Sequence, residues 1–290
     1  MKKKAFIYII LAGLLWGTSV IFVNILAPFG FSSLHMTFVR ALVSFVCFFL
    51  YALIRDKSIF KVTFKEFIIN AAIGISFFGT ATCYYFAMQE TSPSTAVVLM
   101  YLAPVIVLIY SVMFLGEKLT FLKGASVFAM LLGCSLVSGI IGGLSFSPLG
   151  LVIGFLSGLS YALYNIFTKI GTKNMINPTT ITLYCFGAAM VVSFFSCNPA
   201  QIPVFMEGNV LKTLMLLIMM GICTCVLPYF FYTIGMKDLP AGTASALGIV
   251  EPMAATVFSV VFFSERLGIY QLVGIVLIPV AIFVLSKNNN

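Results

Sequence analysis

One pattern of apolar stretches occurs twice in this chain, and the second copy must face the opposite way from the first. Adding 148 to each position carries 84–137 onto 232–285, so that Tyr84 meets Tyr232, Met88 meets Met236, Thr95 meets Thr243 and Pro104 meets Pro252. Farther along, Ser111-Val112 meets Ser259-Val260, and Glu117-Lys118-Leu119 meets Glu265-Arg266-Leu267. The starts of the copies match at an offset of 145, where Gly13 meets Gly158, Trp16 meets Tyr161 and Phe22 meets Phe167. The three extra residues fall most simply in the loop 199–209. The stretches lie at 5–26, 33–54, 67–88, 94–115, 120–141, 149–169, 178–198, 210–235, 241–263 and 268–286. Five crossings per copy turn the second copy upside down in a bilayer. Such inverted repeats are the architecture of secondary transporters, which hold their substrate near the midplane.

Composition agrees with a bilayer. Hydrophobic residues make up 61% of the chain and charged residues 8%, whereas a soluble domain carries about 25% charged residues. Runs near 20 residues span a hydrocarbon core of roughly 30 Å. Helices are expected, because barrel strands would alternate apolar with polar residues. The expected fold is therefore all-α integral membrane, with ten transmembrane helices as two inverted five-helix repeats over 1–142 and 143–290. The split between the fifth and sixth stretches rests on Gly142-Gly143 and Pro148.

A net charge of +8 would suggest nucleic acid if its placement were ignored. Lys2, Lys3, Lys4, Arg55, Lys57, Lys61, Lys65, Lys118, Lys123, Lys169, Lys173, Lys237 and Lys287 fall on one side, with only Lys212 and Arg266 on the other. That asymmetry predicts cytoplasmic termini in the cell membrane and no nucleic-acid partner. The Lys-rich start imitates a signal peptide, but its apolar run is too long. Gly13, Trp16 and Gly17 also find a similar pattern in the sixth stretch, so the segment is expected to be retained. Seven scattered cysteines and a single histidine signal neither a metal centre nor a cofactor. Cys223 and Cys225 would point to nearly opposite sides of a helix. The expected partners are the lipid bilayer and a small-molecule substrate, with protons as a candidate coupling ion. Monomer and homodimer both stay open.

Glu251, in Gly248-Ile249-Val250-Glu251-Pro252, is the sharpest single residue. A charged acid at mid-depth costs a few kcal/mol on insertion scales, so it either holds a proton or faces a partner in a wet cavity. It is a candidate coupling site or an anchor for a substrate amine; the competing reading is a structural acid that fixes a kinked helix. Pro104 and Pro252 lie at matching depth and lack an N–H, freeing the carbonyls of Met100 and Gly248, which makes them candidate hinges. Arg40 is the one base well inside a stretch. It could pair with Glu251, bind a substrate carboxylate, or snorkel to the interface. His35 reads as interfacial. Tyr161, Tyr164, Asn165 and Thr168 share one helix face, while Gly150, Gly154 and Gly158 form a small-residue stripe opposite. With Trp16, Tyr84, Tyr101, Tyr229 and Tyr232 they suggest an amphipathic ligand cavity, of which Trp16, Tyr101, Tyr161, Asn165 and Tyr232 are the candidate wall. The Glu117-Lys118 and Glu265-Arg266 turns read as structural caps.

Leu15-Trp16-Gly17-Thr18-Ser19 resembles the Trp-Gly motif that opens an EamA-type repeat, and Arg40 matches that family's arginine in the second span. Leu102-Ala103-Pro104 followed by Leu115-Gly116-Glu117-Lys118-Leu119 resembles its fourth-span proline and helix-ending Gly-Glu signature. Val250-Glu251-Pro252 and Phe263-Ser264-Glu265-Arg266-Leu267 repeat both in the second copy. The chain thus resembles the EamA family of the drug/metabolite transporter superfamily over nearly its whole length. Ser264 stands in place of the usual glycine, and Cys185 stands where an arginine sometimes occurs. The resemblance implies ten helices, cytoplasmic ends and a central cavity between the halves. It also implies transport of metabolites such as amino acids, related amines or nucleotide-linked compounds. The expectation is an alternating-access carrier, an exporter, of a small polar or amphipathic metabolite. A passive channel or structural subunit is the alternative, and a membrane-embedded enzyme is the poorest reading.

Overall fold

The computed structural model describes residues 2–139 and 147–288. The expected boundary between the copies, at Gly142-Gly143, and the last residues Asn289 and Asn290 lie outside the described residues. The described residues form no strand. Ten apolar helical segments follow one another: α1 Lys3–Phe29, α2 Ser33–Arg55, α3 Phe64–Glu90, α4 Pro93–Phe114, α5 Phe121–Val137, α6 Pro148–Lys173, α7 Pro178–Ser196, α8 Val210–Asp238, α9 Ala241–Phe263 and α10 Ile269–Lys287. Among the described residues nine are long and apolar enough to cross a membrane. The exception is α5, at 17 residues. So the all-helical membrane fold is found, and the count of ten crossings falls one short by helix length.

Local chemistry sets the starts. Pro93, Pro148 and Pro178 occupy the first turn of α4, α6 and α7, where a missing N–H is harmless. Ser32 and His35 close a capping box on α2, and Thr63 with Glu66 does so on α3. Large side chains such as Ile54, Phe64, Phe121, Phe195 and Phe283 are exposed, while Asn70, Asn165, Thr168 and Thr243 are fully buried. This inside-out distribution suits a hydrocarbon surround.

The packing repeats with the copies exchanged. α3 lies along α6 as α8 lies along α1; α5 packs on α10 and α2 on α7, each on its own counterpart. Direction is reversed as well. Gly235, near the end of α8, meets Ala5 and Ile9 at the start of α1, whereas Gly150, at the start of α6, meets Glu90 and Thr91 at the end of α3. We call the end where α1 begins proximal and the other distal.

Three segments are interrupted. α1 breaks at Thr18, whose hydroxyl donates to the Leu15 carbonyl at 2.6 Å. α4 breaks at Tyr101-Leu102 and α9 at Gly248-Ile249, overlapping at the equivalent pair Tyr101 and Ile249, just before Pro104 and Pro252. In α9 the carbonyl freed by Pro252 is not left open. The Gly248 oxygen accepts the Glu251 amide at 3.0 Å, which tightens the chain into a short turn. α8 contains a π-helix at Ile222–Val226, so part of the length difference between the copies is absorbed inside this helix as well as in the loop at 199–209.

Candidate functional site

A cavity of about 530 Å³ enters the bundle from the distal end. Its mouth is edged by Ser33, Pro93, Ser94, Ser138, Glu265 and Gln271, all at distal helix ends. Its inner part is reached at Trp16, Arg40, Tyr101, Tyr161, Tyr164, Tyr229 and Glu251. The breaks put the key groups there. Tyr101 occupies the break of α4, and Glu251 is in the first turn of the half-helix Val250–Phe263 that follows the break of α9. The Tyr101 hydroxyl donates to Glu251 Oε2 at 2.8 Å, joining the two broken helices.

Arg40 faces the same cavity from α2. Its Nη2 donates to the Thr37 hydroxyl at 3.3 Å, while its Nε is buried without a partner. Among the described residues Arg40 and Glu251 do not form an ion pair within 4.0 Å. The cavity therefore presents a guanidinium and a carboxyl group from different helices, α2 and α9. Aromatic rings share the inner cavity or pack on those that do. Trp16 meets Tyr229 at 5.1 Å and Tyr232 at 5.2 Å, and Tyr101 meets Tyr161 edge-to-face at 6.2 Å. Trp16 Nε1 and the Tyr161 hydroxyl are also buried without partners. Unmet polar groups on an aromatic cavity wall are what an amphipathic ligand can satisfy.

Asn165 and Tyr232 lie behind this wall. Tyr232 donates its hydroxyl to Asn165 Oδ1, and Asn165 Nδ2 donates to the Tyr161 carbonyl at 2.6 Å. Both residues are fully buried and outside the cavity lining. Helical periodicity put Asn165 on the face of Tyr161 correctly, but α8 covers that face one turn farther in. Pro104 is likewise buried away from the lining, whereas Pro252 borders it. His35, at the distal start of α2, is buried. Its Nδ1 meets the Ser32 hydroxyl at 2.7 Å and its ring packs on Phe205. Thr37, Phe77, Thr256 and Gln271 line the cavity without having been singled out. A signal existed for Thr37, since Ser33, Thr37 and Arg40 fall on one stripe of α2.

The EamA-like transporter family model matches twice, at residues 3–139 and 148–287. The chain belongs to the EamA-like transporter family. It is 28% identical to an uncharacterized transporter of Archaeoglobus fulgidus, covering 92% of this chain and 90% of that protein. It is 24% identical to an uncharacterized transporter of Clostridium kluyveri, over 99% and 94%. A solved crystal structure of a protein superposes with a TM-score of 0.79 at 19% identity, covering all of both chains, a likeness of fold alone.

At the proximal end of this family member, polar contacts tie helix ends together around a second recess of about 500 Å³, which shares no lining residue with the distal cavity. Lys169 is buried and donates to the carbonyls of Met236 and Leu239, each at 2.6 Å, and of Lys237 at 3.3 Å. Glu117 forms an ion pair with Lys123 and accepts the Gly242 amide at 3.2 Å, so it caps α9 across the bundle. Lys173 donates to the Leu115 carbonyl at 3.2 Å. The charge pattern placed these lysines on one side of the chain's spans and carried no information on their burial. Lys169→Met is expected to lower stability by about 1–3 kcal/mol, because it leaves buried carbonyls unmet. A thermal unfolding series on the purified protein measures it, and an unchanged midpoint would show that Lys169 does not hold these helix ends.

Proposed function

We propose that this chain is an alternating-access secondary carrier that moves a small polar or amphipathic metabolite, an amino acid or related amine, outward across the cell membrane. One observation carries the reading: a cavity open at the distal end reaches a carboxylate and a guanidinium beside two matched helix breaks, above a proximal end tied by polar contacts. Carriers place ligands at such breaks. In this reading Glu251 holds the substrate amine or a proton in alternation, Arg40 receives a carboxylate, and the Trp16, Tyr101 and Tyr161 walls stack the organic body. Pro104 and Pro252 keep the breaks from closing into continuous helix. Asn165 and Tyr232 act from behind, holding the wall. Lysines gathered on proximal segments support cytoplasmic termini.

Counterflow tests this function. Proteoliposomes preloaded with an unlabelled amino acid or amine that stabilises the purified protein are expected to accumulate the labelled form transiently. Accumulation requires a site exposed to each side in turn. Equilibration without overshoot would reject the carrier in favour of a passive pore.

A further inference from the structure

The distal cavity does not reach the recess at the proximal end, and the repeat describes what could close the distal end in turn. At the proximal end the tie uses Glu117, Lys123 and the amide of Gly242. Adding 148 carries these positions to Glu265 and Gln271, and subtracting it carries Gly242 to Ser94. All three counterparts edge the mouth of the open cavity. Glu265 is exposed there and makes no hydrogen bond or ion pair among the described residues. Gln271 accepts the Gly268 amide at 2.9 Å, and the Ser94 amide belongs to the unpaired first turn of α4.

The geometry points to Glu265 as the distal latch: when the cavity closes, its carboxylate swings onto the start of α4 at Ser94, as Glu117 now holds the start of α9. This rests on the alternating-access reading, and it adds a bias that the repeat alone does not contain. The proximal latch carries a lysine, Lys123, where the distal latch carries the neutral Gln271. A carboxylate held by a cation is bound more firmly than one held by an amide. The proximal latch is therefore the firmer of the two, which favours the arrangement with the distal cavity open.

The distal latch can be strengthened without touching the cavity floor. No cysteine lines the cavity among the described residues, so a Thr256→Cys substitution offers a reporter read by a membrane-impermeant maleimide over the parent background. Adding Gln271→Lys is expected to slow its labelling about ten-fold. Further adding Glu265→Gln is expected to restore the rate. Glu117→Gln alone, which weakens the proximal latch, is expected to slow labelling too. An unchanged rate with Gln271→Lys, or slowing that survives Glu265→Gln, would overturn the latch. So would labelling indifferent to Glu117→Gln. These rates need no substrate, so shifts as stated in a protein that fails counterflow would sink the carrier reading and spare the latch.

Discussion

Glu251→Gln is expected to abolish the pH dependence of transport and to cut flux of an amine substrate by about a hundred-fold or more. The amide has the size of the acid and still accepts the Tyr101 O–H, the bond that joins α4 to α9. Folding and the tilt of both broken helices should therefore survive. What disappears is the carboxyl group, which among the described residues is the one acid on the inner walls. Removing one partner of a desolvated charged contact costs about 2–5 kcal/mol, and each 1.4 kcal/mol is about ten-fold. Wild-type flux should change across the range in which a carboxyl gains and loses its proton, and the variant's profile should be flat. Flux at several pH values in proteoliposomes, beside an unfolding curve for each protein, decides the matter. A variant that keeps both rate and profile would leave Glu251 with a structural role alone.

Much of this could be read from residue spacing because a membrane leaves the backbone few choices. The spans, the repeat and the depth of Glu251, Pro104 and Pro252 follow from helix length and register, and the cavity meets Trp16, Arg40, Tyr101, Tyr161 and Glu251. What spacing does not carry is which helix covers a given face. Asn165 shares its face with Tyr161, yet the α8 side chain of Tyr232 closes over it. Lys123 and Lys169 count as basic loop flanks by position, but Glu117 and the end of α8 draw them into the protein. Glu265 copies Glu117 in sequence and not in contact, since the two ends of the bundle are in different states. A repeat in sequence predicts equal chemistry; only the fold shows that the copies are out of phase.

Gly158→Ala should be the most damaging of the small substitutions on α6, for a reason that joins the small-residue stripe to the site. A methyl group on Gly158 would lie 2.5 Å from the Leu99 carbonyl oxygen and 3.3 Å from that of Met100. Both obstacles are backbone, so no side-chain rotation relieves them. Leu99 and Met100 directly precede the break at Tyr101, and pushing them away from α6 shifts the hydroxyl that holds Glu251. Overpacking of this kind costs about 1–3 kcal/mol and sometimes more. Gly124 is the control, since nothing lies within 4 Å of a methyl group placed there. Thermal unfolding should fall clearly for Gly158→Ala and barely for Gly124→Ala. Substrate affinity measured below the unfolding range should fall with the first alone. If Gly158→Ala lost stability but kept full affinity, the α4 break would not depend on α6 for its geometry, and the close helix contact would serve packing only.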